Sequence, residues 1–417
     1  MSLPCYYALG GINFKNGFVT SCPQQSDQLQ VLDNEYLPSK FFNSNNFKQH
    51  RKDLISGKWP SGCDMCEHVE CNNSGTSMRQ EEPVDLQHYN TDGSVDFAGL
   101  KTAEIRFSHS CNMACLHCSQ VFSSGWMTKL KRYESDNEDR QHQLHQLTGA
   151  MHRKSPDDDL TMSISTERAL EIVEDLNTNF PNLERVDFAG GEVLYQKQFF
   201  PTLEKLSQHP NAKNMLVMFH SNFNADFDPV ALSNLLQFFG KSIIMVSVDA
   251  GPRLYPYFRQ GDWNKLKDNI DAFRKVNNKT EVNLVCTTGT YQIMEIKDVF
   301  EGFLTLDVDY IDSSIIFTPD YLNPALMISH FRDETLNDIE ETEKYIRQSD
   351  SARPTAKISA IGALENIKKY ILNNTTSPEH WEAFKVYIRK TDSIWKQDFN
   401  NHIQNYKIVN GEIIRNV

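Results

Sequence analysis

The sequence predicts an α/β fold: a partial (β/α)6 barrel of the TIM type, preceded by a cysteine-rich module and followed by a helical extension. Three observations predict it. Six short apolar runs rich in β-branched residues recur between residues 103 and 317, amphipathic stretches separate them, and eight of the nine cysteines precede residue 119. A strand and then a helix, repeated about six times, is typical of a parallel sheet that closes or partly closes as a barrel.

The strand and helix patterns can be read directly from the chain. Stretches such as STERALEIVEDL and WNKLKDNIDAFRKV have apolar residues at helical spacing, which predicts helices between the strands. Several predicted strands end in polar or glycine-rich turns, where barrels of this type carry their chemistry. The predicted strands are AEIRFS (103–108), LERVDFAGG (183–191), MLVMFHSN (215–222), SIIMVSVDA (242–250), EVNLVCTT (281–288) and YIDSSIIF (310–317).

The chain divides into three predicted regions: a cysteine-rich module at 1–98, the barrel at 99–323 and a helical extension at 324–417. Within the barrel, residues 131–160 are charged and poor in β-branched residues, so we expect a polar insertion there. The last region is helically patterned, as in TLNDIEETEKYIRQ and EHWEAFKVYIRKTDSIWKQDF.

Composition and charge exclude several classes of protein. A net charge of −13 argues against an extended nucleic-acid surface, because such surfaces rest on Lys and Arg. The start MSLPCYYALGG lacks the pattern of a signal peptide, and no apolar run approaches the ~18 residues of a membrane span. We therefore expect a cytoplasmic protein without a membrane partner. Nine cysteines, an odd number, then indicate metal or redox chemistry rather than a disulfide framework.

The segment FSHSCNMACLHCSQ, residues 107–120, places Cys111, Cys115 and Cys118 at C-x₃-C-x₂-C. Three thiolates on a [4Fe–4S] cluster leave one iron open to a non-protein ligand. This segment resembles the radical S-adenosylmethionine (SAM) superfamily. The resemblance implies that these cysteines hold a [4Fe–4S] cluster, that the free iron chelates SAM, and that SAM is cleaved to methionine and a 5′-deoxyadenosyl radical. A zinc site is the alternative interpretation of the three cysteines.

Companion motifs extend this resemblance to the contacts of SAM. AGGEVL resembles the G-G-E-P-L turn of the family, SVDAGP the S-x-D-G segment, YFRQGDW a motif whose arginine pairs with the SAM carboxylate, and HSNFN a polar third-strand segment. Val193 and Ala250 depart from the family pattern. His117 occupies the position from which, in the family, a planar side chain covers the adenine; an ordinary loop histidine is the alternative. For Arg259, the alternative is a surface arginine. The implied SAM contacts are Gly190, Gly191, Glu192, Ser221, Asn222, Ser247, Asp249, Arg259 and His117.

The N-terminal cysteines predict a second site. A turn signal at KNG predicts a β-hairpin that brings Cys5 near Cys22, while Cys63 and Cys66 form a C-x₂-C pair, so two pairs make four ligands. The region resembles the SPASM or twitch type of auxiliary-cluster module, which implies an auxiliary [4Fe–4S] cluster; a structural zinc is the alternative. Cys71 is surplus. The motif residues that carry the resemblance are Trp59, Pro60, Glu70, Gly75, Ser77 and Arg79.

A cluster with four thiolates cannot bind substrate and is suited to accept an electron from a substrate radical. The predicted function is therefore a net oxidative, radical SAM modification of a peptide or protein side chain, with a flavodoxin or ferredoxin as electron donor. The alternatives are a small metabolite, sugar or nucleotide as substrate, or a non-catalytic iron–sulfur or zinc protein. Cys286 is a candidate hydrogen-atom donor and His109 a candidate proton carrier; structural roles are the alternatives for both.

Overall fold

The structure is a computed structural model that describes residues 3–15, 17–25, 27–32, 35–71, 77–80, 82–84, 86–119, 122–135, 163–350 and 352–416. The chain forms two compact units. The first unit comprises Met1–His109, Asp159–Phe219 and Val230–Ile243; the second comprises Ser110–Asp158, His220–Pro229 and Ile244–Val417. Gly75 and most of the predicted insertion at 131–160 lie outside the described residues.

Strands and helices alternate along much of the chain. The strands are β1 (Gly11–Lys15), β2 (Phe18–Thr20), β3 (Gln30–Val31), β4 (Thr102–Arg106), β5 (Arg185–Ala189), β6 (Leu216–Ser221), β7 (Lys241–Ser247), β8 (Glu281–Thr288), β9 (Tyr310–Ile315), β10 (Tyr406–Val409) and β11 (Glu412–Arg415). The longer helices are Asn45–Ile55, Asp64–Cys71, Ser124–Ser135, Thr166–Asn179, Phe199–Leu206, Pro229–Leu236, Trp263–Val276, Ile296–Phe303, Arg332–Gln348, Pro354–Asn373 and Pro378–Trp395. The shorter helices are Tyr6–Gly10, Pro38–Phe41, Tyr255–Phe258, Thr290–Met294, Ala325–His330 and Phe399–His402.

The first unit is built on strands in the order β3-β2-β1-β4-β5, followed by the start of β6. The pairs among β1, β2 and β3 are antiparallel, while β1 with β4 and β4 with β5 are parallel. Phe14, Ile105 and Phe188 are aligned across three strands and fully buried. Phe188 packs on Phe199 of the helix Phe199–Leu206 with ring centroids 5.3 Å apart, so this apolar row anchors that helix to the sheet.

The hairpin predicted near Cys5 and Cys22 is present as β1 and β2, with Phe14 opposite Val19. Strand β1 also pairs in parallel with β4, the first strand of the predicted barrel. The cysteine-rich N-terminal segment therefore shares a sheet with the strands that follow it.

In the second unit, β8 and β9 are parallel and place Cys286 opposite Ser313. Alternate residues of β8 are buried, as expected for a strand with one face in the core. The C-terminal region is helical up to Trp395, but it ends in the antiparallel hairpin of β10 and β11, where a helical extension was expected.

The predicted α/β class, with parallel strands and a helical C-terminal region, is confirmed, and the six predicted barrel strands appear as β4 to β9. The domain limits at 98 and 323 stay predictions. Among the described residues, no helix combines the length and the apolar character needed to cross a membrane.

Candidate functional site

The three predicted cluster cysteines lie in one loop of the second unit, residues 111–118, which we call the three-cysteine loop. The loop is tied to itself and to the helix that follows it. The amide of Cys118 donates to the carbonyl of Cys115 at 2.9 Å, and the amide of Cys111 donates to Ser124 Oγ at 3.0 Å. The amide of Met113 points at Cys111 Sγ at 3.4 Å, a contact that suits a thiolate acceptor.

Three aromatic side chains donate hydrogen bonds to consecutive carbonyls of this loop. Trp395 Nε1 donates to Ala114 O at 3.2 Å, and Trp126 Nε1 donates to Cys115 O at 2.7 Å. The hydroxyl of Tyr387 donates to Leu116 O. Sequence reasoning missed all three aromatic residues, because a tryptophan or tyrosine in an amphipathic helix is indistinguishable from an ordinary core residue.

Cys115 is buried, whereas Cys111 and Cys118 are half-buried, and this partial shielding from water governs the chemistry of the thiols. Burial raises the pKa of the Cys115 thiol, and it raises the pKa of Cys118 to about 12. A buried thiol with a raised pKa stays protonated until a metal replaces the proton, and thiolate sulfur selects iron–sulfur clusters, zinc or copper(I). The donor set of the three-cysteine loop therefore fits an iron–sulfur cluster.

Asn222 lies beside the three-cysteine loop and holds its first turn. Its Nδ2 donates to Asn112 Oδ1 at 2.9 Å and lies 4.0 Å from Cys111 Sγ. Asn112 in turn donates to the carbonyl of Asn224 at 3.0 Å. Ser221 accepts a hydrogen bond from the next turn of its own segment, at 3.0 Å from the amide of Phe223. The structure thus places the polar third-strand segment against the cysteine loop.

Asp249 is the centre of a buried charged cluster in the same unit. One carboxylate oxygen pairs with Arg259 and lies 3.5 Å from His117 Nε2; the other accepts from the amide of Thr287 at 2.5 Å. Asp249 and Arg259 are 1% and 6% exposed, so this ion pair is shielded from water. Asp249 has a φ of +55°, a left-handed conformation that is uncommon for a non-glycine residue and is often found at functional sites.

His117 and Arg259 each have one polar atom that makes no hydrogen bond within the described residues. The ring of His117 stacks on Phe258, with centroids 5.0 Å apart and planes at 7°. Burial lowers the pKa of His117, which favours the neutral imidazole. His117 Nδ1 and Arg259 Nε are buried and have no hydrogen-bond partner in the described residues. A planar ring and a guanidinium N–H donor that is still available fit an adenine and a carboxylate, the two ends of SAM.

Cys286 and Ser247 also lie in the second unit. Cys286 is 1% exposed in β8, its Sγ lies 3.5 Å from Thr288 Oγ1, and burial raises the pKa of its thiol. The charges of Asp249 and Arg259 act on the same thiol. Ser247 ends β7 and is partly buried.

The first unit carries the AGGE turn and His109. Gly190 and Gly191 have φ values of +87° and +54°, and a Cβ on Gly190 would lie 3.0 Å from Ser108 O, so a side chain there is excluded. Glu192 is buried and accepts from the amide of Leu194 at 3.0 Å. His109 Nδ1 is buried without a partner in the described residues, and burial lowers the pKa of His109.

The four predicted auxiliary cysteines, Cys5, Cys22, Cys63 and Cys66, line one pocket in the first unit, which we call the four-cysteine pocket. Cys71 is exposed and lies outside the residues that line it. Burial raises the pKa of Cys5 to about 12 and also raises the pKa of Cys22. In the described part of the chain, no three His, Cys, Asp or Glu side chains are arranged to hold a single metal ion.

Gln25 also lines the four-cysteine pocket. Its Oε1 accepts from the hydroxyl of Ser21 at 2.8 Å, while its Nε2 is buried without a partner in the described residues. An amide N–H of this kind can donate to a cluster sulfur, an interaction that tunes iron–sulfur clusters. The donor set and this amide together fit an auxiliary iron–sulfur cluster.

A second group of motif residues fastens the wall of this pocket. Glu70 Oε1 accepts from Arg79 Nε at 2.8 Å and from the hydroxyl of Ser77 at 2.5 Å. Arg79 also donates to the carbonyl of Pro4 at 3.0 Å, and its guanidinium lies 5.7 Å from the centroid of a Trp59 ring. Arg79 thus connects the chain just before Cys5 to the helix that carries Cys66.

Comparison with known protein families finds a match for the central part of the chain. Residues 105–301 match the model of the Radical SAM superfamily. This segment is similar to radical SAM domains. Such a domain implies an enzyme that binds a [4Fe–4S] cluster and SAM. The three-cysteine loop, the AGGE turn and the Asp249 cluster all lie in the matched segment, whereas the residues of the four-cysteine pocket precede it.

Two solved structures have weak similarity to this chain. Native anSMEcpe with bound AdoMet is 16% identical over 57% of this chain and 62% of its own, with a TM-score of 0.38. Streptococcus suis SuiB bound to the precursor peptide SuiA is 12% identical over 72% of this chain and 60% of its own, with a TM-score of 0.35. The chain spans about three fifths of the length of these two relatives. No curated protein matches its sequence.

Proposed function

We propose that this protein is a radical SAM enzyme in which Cys111, Cys115 and Cys118 hold the SAM-binding [4Fe–4S] cluster and an auxiliary [4Fe–4S] cluster occupies the four-cysteine pocket. The bound, reduced SAM cluster supplies one-electron cleavage of SAM to methionine and a 5′-deoxyadenosyl radical that abstracts a substrate hydrogen. The observation that carries the proposal is the three-cysteine loop within a radical SAM domain.

The roles that we propose for the SAM contacts rest on the Asp249 cluster. Arg259 Nε is an unused donor on a buried cation, which suits the carboxylate of SAM. Asp249 holds the opposite edge of the guanidinium and so orients it, and it keeps the buried positive charge paired while the site is empty. His117, braced on Phe258, offers its planar ring to the adenine.

The remaining proposed SAM contacts are backbone and polar groups. Gly190 and Gly191 have left-handed φ values, a conformation that glycine adopts readily and that suits a close approach of the backbone to a ligand. Glu192 accompanies them in the same turn. Ser221, Asn222 and Ser247 complete the polar lining that we propose for SAM.

For the auxiliary site, we propose that Cys5, Cys22, Cys63 and Cys66 would hold a cluster with no iron left open, which would supply an acceptor for the electron left on a substrate radical. The net reaction is then an oxidative modification. Burial of the Cys5 and Cys22 thiols and the Nε2 donor of Gln25 support a cluster in this pocket. A flavodoxin or ferredoxin is the electron donor that we propose. Cys286 and His109 stay candidate hydrogen-atom and proton carriers.

For the substrate, we propose a peptide or a protein side chain, and Asn13 supports this class. Asn13 lies in β1 opposite Glu104 and is 1% exposed, yet its Oδ1 and Nδ2 both lack partners in the described residues. A buried amide that offers one donor and one acceptor side by side is complementary to a peptide group, which has the same pair. Leaving it unpaired is costly, so a ligand that pairs with it gains free energy.

The test uses anaerobically reconstituted full-length protein with SAM and dithionite. Iron and sulfide are quantified per chain, and 5′-deoxyadenosine and methionine are measured. We expect about eight irons and both products. Zinc with neither product would overturn the proposal in favour of a zinc-binding protein.

The substrate class has its own test. Cell extract is separated by ultrafiltration into a peptide and protein fraction and a small-molecule filtrate, and each is added to the reconstituted enzyme. We expect the first fraction to stimulate 5′-deoxyadenosine formation and Asn13→Leu to lose this stimulation while keeping the basal rate. Stimulation by the filtrate alone would assign a metabolite instead.

A further inference from the structure

The three aromatic donors to the three-cysteine loop have no role in the function proposed above. We propose that Trp126, Tyr387 and Trp395, which we call the aromatic clamp, are positioning residues that fix the backbone of the loop, so that the helical C-terminal region completes the cluster site. This rests on the proposed function, since the direction of the thiols matters only if they hold the cluster.

The clamp has a local origin in the helix Pro378–Trp395. Tyr387 and Trp395 are eight residues apart, a little over two helical turns, so both project from the same side of the helix. Thr391, midway between them, bonds back to the carbonyl of Tyr387 at 2.9 Å and keeps its hydroxyl out of the contact with the loop. Tyr387 and Trp395 are 5% and 6% exposed, so water does not compete for their donors.

The third member of the clamp comes from the helix that directly follows the loop. Trp126 is 3% exposed, and its ring meets that of Trp395 edge to face, with centroids 4.4 Å apart and planes at 74°. This is a favourable aromatic geometry. Trp126 and Trp395 therefore brace each other while their N–H groups reach adjacent carbonyls, Cys115 O and Ala114 O.

These hydrogen bonds have a direct consequence for the thiol of Cys115. Ala114, Cys115 and Leu116 are buried, and a buried carbonyl without a partner is costly. The amide of Leu116 donates to Phe258 O at 2.8 Å while its carbonyl accepts from Tyr387, so this residue is held from both ends. With the peptide planes on both sides of Cys115 fixed, its Cα–Cβ direction, and hence the direction of its sulfur, is fixed as well.

Packing alone does not account for the clamp, because in each of the three contacts the polar tip of the aromatic side chain meets a loop carbonyl. The decisive variant is Tyr387→Phe, which keeps the ring and removes only the donor. Tyr370→Phe is its control, since Tyr370 bonds Asn323 and not the loop. Trp395→Phe is matched by Trp381→Phe in the same helix, where the ring is equally buried and stacks on His330 at 4.2 Å.

The experiment measures amide hydrogen exchange of residues 111–118 in the full-length protein without iron. Tyr387→Phe and Trp395→Phe should accelerate exchange there by about 5- to 30-fold, while β8 exchanges as in the wild type. Tyr370→Phe and Trp381→Phe should leave the loop unchanged. Unchanged exchange in Tyr387→Phe, or exchange raised equally in β8, would overturn the inference and leave Tyr387 as a packing residue.

A second readout uses the reconstituted protein, whose iron is challenged with a chelator. Clamp variants should release iron from the SAM cluster faster than wild type, and the two control variants should match wild type. Equal release rates in all variants would also count against the clamp. If wild type formed no SAM cluster but the exchange results held, the proposed function would fail while the clamp on the loop stood.

Discussion

The two cysteine sites differ in how the chain assembles them. The three-cysteine loop takes its thiols from eight consecutive residues, 111–118, of the second unit. The four-cysteine pocket collects Cys5, Cys22, Cys63 and Cys66 from three separated segments of the first unit. The first site is therefore local in sequence, and the second exists only where the fold brings those segments together.

The means of support differ in the same way. Aromatic donors hold the backbone carbonyls of the loop, so its conformation depends on neutral hydrogen bonds in a buried setting. The pocket is fastened by charge: Glu70 and Arg79 are each 13% exposed in their side chains and bond one another at two points. We infer that a loop of eight residues needs hydrogen bonds that fix the orientation of its peptide groups. A site made from distant segments needs interactions that hold those segments together.

The largest expected effect tests the loop. Replacing Cys111, Cys115 and Cys118 together with alanine should abolish 5′-deoxyadenosine formation and lower bound iron by about four per chain, because one cluster loses its ligands. Iron analysis and product chromatography measure both. Retained SAM cleavage would end the assignment of the three-cysteine loop.

The next variant separates the two sites. Replacing Cys63 and Cys66 with alanine should also remove about four irons but spare uncoupled SAM cleavage while abolishing conversion of substrate. Cys71→Ala is the matched control, since Cys71 is exposed and does not line the pocket, and it should leave the iron content unchanged. If the double variant failed to fold, a structural metal would be the better interpretation.

A smaller effect is expected at the Asp249 cluster. Arg259→Lys keeps the charge that pairs with Asp249 but removes the forked guanidinium, and we expect SAM to bind about 10- to 100-fold more weakly. Titration calorimetry on the reconstituted protein without reductant measures the affinity. Arg253→Lys, which changes a half-exposed arginine paired with Glu295 and Asp298, serves as the control. Unchanged affinity in Arg259→Lys would remove that residue from the SAM site.

The smallest effect concerns the charged fastening of the pocket. Arg79→Gln removes the ion pair with Glu70, and we expect the free energy of unfolding to fall by about 1 to 3 kcal/mol. Lys48→Gln breaks a more exposed pair with Asp92 and should change stability by no more than about 0.5 kcal/mol. Urea denaturation measures both. Equal stability of the two variants would show that the charged fastening contributes little.

Sequence patterns predicted the strands well because alternation and apolar runs are local properties. The runs at 281–288 and 310–317 became β8 and β9 nearly residue for residue. The hairpin β10–β11 was missed although its signal is local: Asn410 and Gly411, both with positive φ, form a two-residue turn between the strands YKIV and EIIR. The three cysteines at 111–118 were likewise visible as a motif, because their spacing is itself the chemical signal.

The hydrogen-bond and ion-pair partners of the site residues could not be predicted from the sequence. The pairing of Arg259 with Asp249 joins residues ten apart across a turn, and the bond from Tyr387 to Leu116 spans 271 residues. Neither follows from spacing, because any buried donor of suitable shape could have filled either place.

By itself, the sequence determined the strand and helix order, the radical SAM motif and the set of cysteines available as ligands. Only the tertiary structure decided that Gln25 lines the pocket of the four predicted cysteines, that Arg79 bonds to the chain just before Cys5, and that the C-terminal helix supports the three-cysteine loop. The physical reason is the range of the interactions. Periodicity and ligand spacing are set within a few residues, whereas hydrogen bonds between distant segments form only when packing brings those segments within about 3 Å of each other.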